Sequence, residues 1–105
     1  MGPKTKELII ELEACANMLK ECSEIHWGLW LEECASLLKT GNFRGIEKFE
    51  GAFGGMGSIN DLILHPINKH NISESEVQKY NERLQKHLDR CLNLTNEIRQ
   101  NAAYN

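Results

Sequence analysis

Apolar residues recur at every third or fourth position through the first forty residues, which is the repeat of an amphipathic helix. The pattern predicts one helix over 4–22 and a second over 23–40, with Ser23 as N-cap of the second and Gly41 just past its end. The apolar face of the first helix consists of Leu8, Leu12, Cys15, Leu19 and Cys22. The apolar face of the second consists of Trp27, Trp30, Leu31, Cys34, Leu37 and Leu38.

The middle of the chain is interrupted by glycine. A short helix is predicted over 43–53, where the apolar residues keep the helical spacing. The sequence FGGMGS then forms a glycine-rich corner, and a second short helix is predicted over 59–64 with Ser58 as its cap. Pro66 ends this helix, because the residue before a proline avoids helical geometry.

The most regular pattern lies in the last third of the chain. Ser73 and Glu76 have the spacing of a capping box, and one helix of roughly 40 Å is predicted from there to Ala102. Its apolar seam consists of Val77, Tyr80, Leu84, Leu88, Cys91, Leu94, Ile98 and Ala102. The sequence therefore predicts an all-α fold with a single domain, residues 1–105. It is a small bundle of two N-terminal helices, two short middle helices around the glycine-rich corner, and one long C-terminal helix.

Composition weighs against two classes of partner. The formal net charge is -3, whereas nucleic-acid binding needs a concentrated basic face. No apolar run approaches the ~18 residues of a membrane span, and no secretory signal precedes the first helix. We therefore expect a cytoplasmic protein that binds neither nucleic acid nor membrane.

Acidic residues are concentrated near the N-terminus. Residues 1–33 hold seven glutamates and three lysines, whereas residues 69–105 hold six bases and five acids. The candidate partner-binding residues of the first two helices are Glu7, Glu11, Glu21, Glu24, Glu32 and Glu33. One interpretation is a solvated outer face. The other is a surface that binds a basic protein partner.

Three roles are open for the glycine-rich corner. Backbone amides before a helix can bind an anion, but Asp61 would compete for them, and the lysine of a nucleotide-binding loop is missing. The corner can also be only a tight turn between helices. As a contact surface it would use Met56, Ser58, Asn60 and Asp61.

The residues able to carry chemistry form no catalytic set. The four cysteines are predicted to be buried, reduced thiols, and they lack metal-binding spacing. His87 falls on the seam of the long helix, and His65 and His70 are expected to be solvated in a loop. Glu32 and Glu33 are adjacent, so their side chains diverge by about 100° on a helix. We predict no enzyme activity, no metal and no cofactor.

Two stretches carry a family resemblance: HWGLWLEEC in the second helix and FGGMGSINDL at the corner. They resemble a family of short, uncharacterised bacterial helical proteins that share this corner and the aspartate after it. The resemblance extends over residues 8–95 and supplies no active site. In size and acidity such proteins are similar to immunity proteins, which neutralise a cognate toxin by binding it.

The leading hypothesis is a non-enzymatic bacterial immunity protein that occludes its toxin with the acidic faces of the first two helices. The alternative is a small-molecule-binding or regulatory module with a pocket lined by Trp27, Trp30, Phe53 and Met56. A third possibility is a homo-oligomer that self-associates through the seam of the long helix.

Overall fold

The computed structural model describes residues 2–54 and 56–103, and this part of the chain is helical, without a strand. The helices are α1 (Pro3–Glu21), α2 (Ile25–Lys39), α3 (Arg44–Glu50) and α4 (Val77–Ala103). Single 3₁₀ turns occur at Ile59–Asp61, Pro66–Asn68 and Glu74–Glu76. The predicted all-α bundle with a long C-terminal helix is therefore confirmed.

Helix α1 lies at the centre of the bundle. Helices α2 and α4 both pack against α1, and α3 packs against α2. The predicted stripes of α1 and α2 supply much of the core, and Trp27 and Trp30 pack half-buried at its edge. All four cysteines are free thiols in this core. The apolar repeat in the sequence thus identifies the packed faces.

The seam of α4 is buried as predicted along most of its length. Its buried apolar residues are Leu84, Leu88, Cys91, Leu94 and Ile98. Val77 and Tyr80 lie half-buried at its start, and the side chain of Ala102 lies outside the described residues. The capping box of Ser73 and Glu76 is present, although its first turn is a 3₁₀ turn.

The predicted N-cap of α2 is wrong, because Ser23 belongs to the end of α1. Ser23 has a left-handed backbone with φ of 64°, and its amide donates to the carbonyl of Lys20 at 3.0 Å. The amide of Glu24 donates to the carbonyl of Leu19 at 2.8 Å, which completes a Schellman motif. Glu24 caps α2 instead: its carboxylate accepts from the amide of Trp27 at 3.2 Å.

The two short middle helices are shorter than predicted. The predicted helix over 43–53 contracts to α3, and that over 59–64 contracts to one 3₁₀ turn. Ser58 makes no capping hydrogen bond, since its hydroxyl bonds the side chain of Asn60. The predicted helix over 59–64 ends early because the backbone amide and carbonyl of Leu64 bond the side chain of Asn81 instead of helical partners.

Gly45 lets α3 approach α2 closely, and we expect Gly45→Ala to destabilise the fold. An added Cβ would lie 2.6 Å from the carbonyl oxygen of Cys34 and 2.8 Å from Cγ of Leu38. Because a backbone atom cannot yield as a side chain can, we expect a loss of about 1–3 kcal/mol in the free energy of unfolding. Urea denaturation measures it.

Gly51→Ala is the matched control. Its added Cβ would lie no closer than 3.4 Å to a carbonyl oxygen, and its φ of −66° suits alanine. We expect the free energy of unfolding of Gly51→Ala to rise by no more than about 1 kcal/mol. Equal losses in the two variants would contradict the role of Gly45 in this helix contact.

Candidate functional site

Five of the six glutamates predicted to bind a partner instead bond side chains of the chain itself. Glu7 pairs with Arg90 at 3.5 Å and Glu11 with His87 at 2.7 Å, both across the α1–α4 contact. Glu32 pairs with Lys20 of α1, Glu33 with Lys48 of α3 at 3.6 Å, and Glu24 with His70 at 3.0 Å. These carboxylates therefore contact four different elements.

Glu21 forms no ion pair within the part of the chain that the structure describes, and it is exposed. The acidic residues of α1 and α2 are thus spread over several contacts rather than gathered on one face. The exposed pairs among them, such as Glu7 with Arg90, contribute at most about 1 kcal/mol each to stability. A role for these glutamates in partner binding remains a prediction.

The glycine-rich corner is closed by its own residues. The amide of Ile59 donates to the carbonyl of Ala52 at 2.8 Å, and Oδ2 of Asp61 accepts from the amide of Gly57 at 3.2 Å. Asp61 therefore occupies a donor that an anion would need. Met56 and Asn60 are exposed, whereas Ser58 is buried; Gly55 lies outside the described residues.

The predicted pocket residues pack against the core. The rings of Trp27 and Trp30 meet edge to face with centroids 5.4 Å apart. The indole N–H of Trp30 donates to the carbonyl of Lys48 at 3.0 Å, and Phe53 packs edge to face on Phe49. Three cavities in the structure share Phe43 in their lining, the largest of them about 350 Å³. They lie away from Trp27, Trp30 and Phe53, whose role in a ligand pocket remains a prediction.

A group of polar contacts joins two segments that we call the junction: the α1–α2 turn, residues 21–25, and loop 62–73. The ring of His70 is buried, with Nε2 at 3.0 Å from Oε1 of Glu24. Its Nδ1 accepts from the amide of His65 at 3.0 Å. The neutral ring therefore carries its proton on Nε2 and donates it to Glu24. The expectation that His70 is solvated is wrong.

Glu24 thus has two structural roles. One carboxylate oxygen caps α2, and the other accepts from His70. The amide of Asn71 also donates to the carbonyl of Cys22 at 2.9 Å, which fixes the loop to the end of α1. Burying a carboxylate is favourable only when its oxygens are bonded, and both oxygens of Glu24 are.

Loop 62–73 is also fixed on its other side. The side chain of Asn81 accepts from the amide of Leu64 and donates to its carbonyl, both at 2.8 Å. Within the loop, the amide of Ile67 donates to Nδ1 of His65 at 3.0 Å. The side chain of Asn68 donates to the carbonyl of Ile63 at 3.0 Å. The loop is therefore held in one shape although it contains only one turn of 3₁₀ helix.

This rigid loop presents apolar side chains to water. Ile67 is 82% exposed and Ile63 is 56% exposed. The large hydrophobic residues that are exposed among those described are Ile10, Ile25, Leu29, Phe43, Met56, Ile63 and Ile67. Apart from Met56, they were absent from the sequence-based candidates. Ile63 and Ile67 lie in a loop without a periodic pattern, and Ile10 and Leu29 lie outside the apolar stripes of their helices. The sequence does contain one signal that sets this loop apart: residues 62–73 contain no carboxylate, although the chain as a whole is acidic.

The thiols and histidines offer little reactive chemistry. Burial raises the pKa of Cys15 and of Cys34 to about 12 and raises that of Cys91 further. Both ring nitrogens of His70 are engaged, one by the amide of His65 and the other by Glu24. Among the described residues, no group of three or more His, Cys, Asp or Glu side chains is placed to hold a metal ion.

Together the fold and the junction define a small all-α domain whose exposed apolar residues are concentrated in its middle segment. A family model described as a domain of unknown function, DUF6966, matches residues 20–73, just over half of the chain. The chain belongs to this family, and the expectation of an uncharacterised family is confirmed to that extent. No curated protein and no solved structure matches the chain.

The matched segment contains α2, α3, the glycine-rich corner and the whole of the junction. It excludes Glu7 and Glu11. No helix within residues 2–54 and 56–103 has the length and apolar character needed to cross a membrane.

Proposed function

We propose that this chain is a non-enzymatic domain that acts by binding another protein through the segment shared with its family. One observation carries the proposal: among the described residues, six of the seven exposed large hydrophobic side chains fall within residues 20–73, and Ile10 is the exception. Single exposed apolar side chains are common, whereas exposed apolar patches mark interaction sites. The concentration of these residues in the family segment supports an interaction site there. Core packing gives no reason for them, because these side chains face water.

At the finer level we propose a bacterial, cytoplasmic immunity protein that neutralises a cognate toxin by covering its active site. The size of the chain, its acidity and the resemblance carried by the glycine-rich corner support this class. Met56, Asn60 and Asp61 would lie at the rim of the contact. The exposed Glu21 would add charge attraction toward a basic toxin.

Co-expression with the product of the adjacent gene tests this function. We expect the two proteins to copurify, and we expect the chain to relieve the growth defect that the adjacent product causes alone. Two matched variants locate the surface. Leu29→Asp places a charge on α2 inside the family segment, and Ile10→Asp does the same on α1 outside it.

We expect Leu29→Asp to lose both copurification and relief, whereas Ile10→Asp keeps both. Circular dichroism confirms that each variant is folded. The proposal would be wrong if the wild-type chain formed no complex and relieved no toxicity. Loss of binding in Ile10→Asp alone would move the surface to α1 and contradict the assignment to the family segment.

A further inference from the structure

We propose that loop 62–73 carries the anchor of the binding surface. Ile67, supported by Ile63, would insert into an apolar pocket of the protein partner, and carboxylates would line the rim of that pocket. This inference rests on the proposed protein-binding function and names the part of the chain that contributes most of the affinity.

The shape of the loop is set before binding. Asn81 bonds both backbone groups of Leu64, His70 bonds Glu24, and the amide of Asn71 bonds the carbonyl of Cys22. These contacts fasten the loop to α4, to the start of α2 and to the end of α1. Since a rigid loop loses little conformational entropy on binding, its exposed side chains can act as anchors at low cost.

The backbone at the junction is held in uncommon conformations. Ser23 and Lys69 are the residues other than glycine with positive φ in the described chain, at 64° and 66°. They lie on the two segments that the contact between Glu24 and His70 joins. Left-handed non-glycine residues are uncommon and persist where surrounding contacts fix them, often at binding sites.

The polar groups around Ile67 indicate the chemistry of the partner. Residues 62–73 contain Lys69, two histidines and no carboxylate, in a chain whose net charge is -3. Nδ1 of His65 accepts from the amide of Ile67, so the neutral ring carries its proton on Nε2 as a donor. His70 is buried and bonded to Glu24, so the donors that the loop can offer a partner are the ammonium of Lys69 and Nε2 of His65. A surface with these two donors and an apolar tip complements an apolar pocket with carboxylates at its rim.

A protein suits this loop better than a lipid surface or a nucleic acid. Binding to anionic membranes requires a cluster of several lysines and arginines, and nucleic acids require a basic face of similar density. The loop contains one lysine. An exposed isoleucine side chain on a fixed loop suits a single apolar pocket on a protein surface.

The test uses the full chain in complex with the product of the adjacent gene. The dissociation constants of the wild type, Ile67→Ser and Ile10→Ser are measured by calorimetry. Ile10 is the matched control, since it is 66% exposed and lies outside the family segment. We expect Ile67→Ser to weaken binding by at least about 30-fold and Ile10→Ser by less than about threefold. Both variants should keep the wild-type melting temperature within a few degrees, because both side chains are exposed.

A second variant tests the fixed shape of the loop. Asn81→Ala leaves Ile67 intact but removes the contacts with Leu64, so hydrogen exchange at the Leu64 amide should rise and affinity should fall. Faster exchange with undiminished affinity would overturn the role of preorganisation, and with it the inference that a fixed loop is the anchor.

The outcomes separate the two proposals. If the wild type binds and Ile67→Ser binds equally well, the anchor inference is overturned and the proposed function stands. If the wild type does not bind, the proposed function fails, and the inference that rests on it fails too. Binding of the wild type to vesicles of phosphatidylglycerol, lost in Ile67→Ser, would overturn the protein partner in favour of a membrane surface.

Discussion

Replacing Phe49 by alanine should lower the free energy of unfolding by about 3–5 kcal/mol, the largest effect expected from a single core substitution. Phe49 of α3 is fully buried, and its ring packs edge to face on Phe53 with centroids 5.2 Å apart. The substitution removes the apolar ring from the core and leaves a cavity that the helices α2 and α3 cannot close. Urea denaturation followed by circular dichroism measures the loss.

Phe43→Ala is the matched control, since it removes the same ring just before α3 from a side chain that is 60% exposed. We expect a loss below about 1 kcal/mol, because little of that ring is taken from water. Similar losses at the two positions would contradict the assignment of Phe49 to the core and of Phe43 to the surface.

Raising the pH above 9 should unfold the protein steeply. The pKa of Cys15 and of Cys34 rises by burial from 9.0 to about 12, and that of Cys91 rises further. In this pH range the folded state keeps these protons while the unfolded state loses them. Stability is therefore complete below pH 9 and is lost as the pH rises through the folded-state pKa values. With three such thiols, the free energy of unfolding falls by about 4 kcal/mol per pH unit.

A domain of this size has a stability of about 5–10 kcal/mol, so unfolding should be complete within about two to three units above pH 9. Circular dichroism during an alkaline titration measures the midpoint. In Cys91→Ala the free energy of unfolding should fall with pH about a third less steeply than in the wild type. Lysine and tyrosine titrations are common to the variant and the wild type. An unchanged slope would show that the thiol of Cys91 does not control alkaline stability.

Much of the fold follows from the sequence because the helices are amphipathic. The seam of α4 and the capping box at its start depend on residues close together in the chain, so their pattern is visible in the sequence. The end of α2 at Gly41 is predictable for the same reason. Elements that depend only on local spacing were predicted within a few residues.

The junction could not be predicted, because its contacts join residues far apart in the chain. Glu24 and His70 are separated by 46 positions, and Leu64 and Asn81 by 17. A glutamate before a helix and a histidine in a polar loop have ordinary solvated roles when the sequence is considered alone. Ser23 appeared to be an N-cap because serine often is, and only the three-dimensional contacts show that it ends α1.

The pairing of the glutamates of α1 and α2 could not be predicted from the sequence either. The sequence gives the number of carboxylates on α1 and α2, but the bases that pair with them lie on other elements. Glu11 and His87 are 76 positions apart, for example. Charge counted along the chain therefore does not give the charge pattern on the folded surface.

The central position of α1 has a consequence for the family as a whole. The segment that the family shares begins in the last turn of α1 and ends before α4, so it lacks the helix on which α2 packs. Cut out at these bounds, the segment would lose the contacts between α1 and α2, and we expect that it would not fold independently. A relative that retains this segment therefore needs some other helix to take the place of α1, even where its sequence has diverged beyond detection.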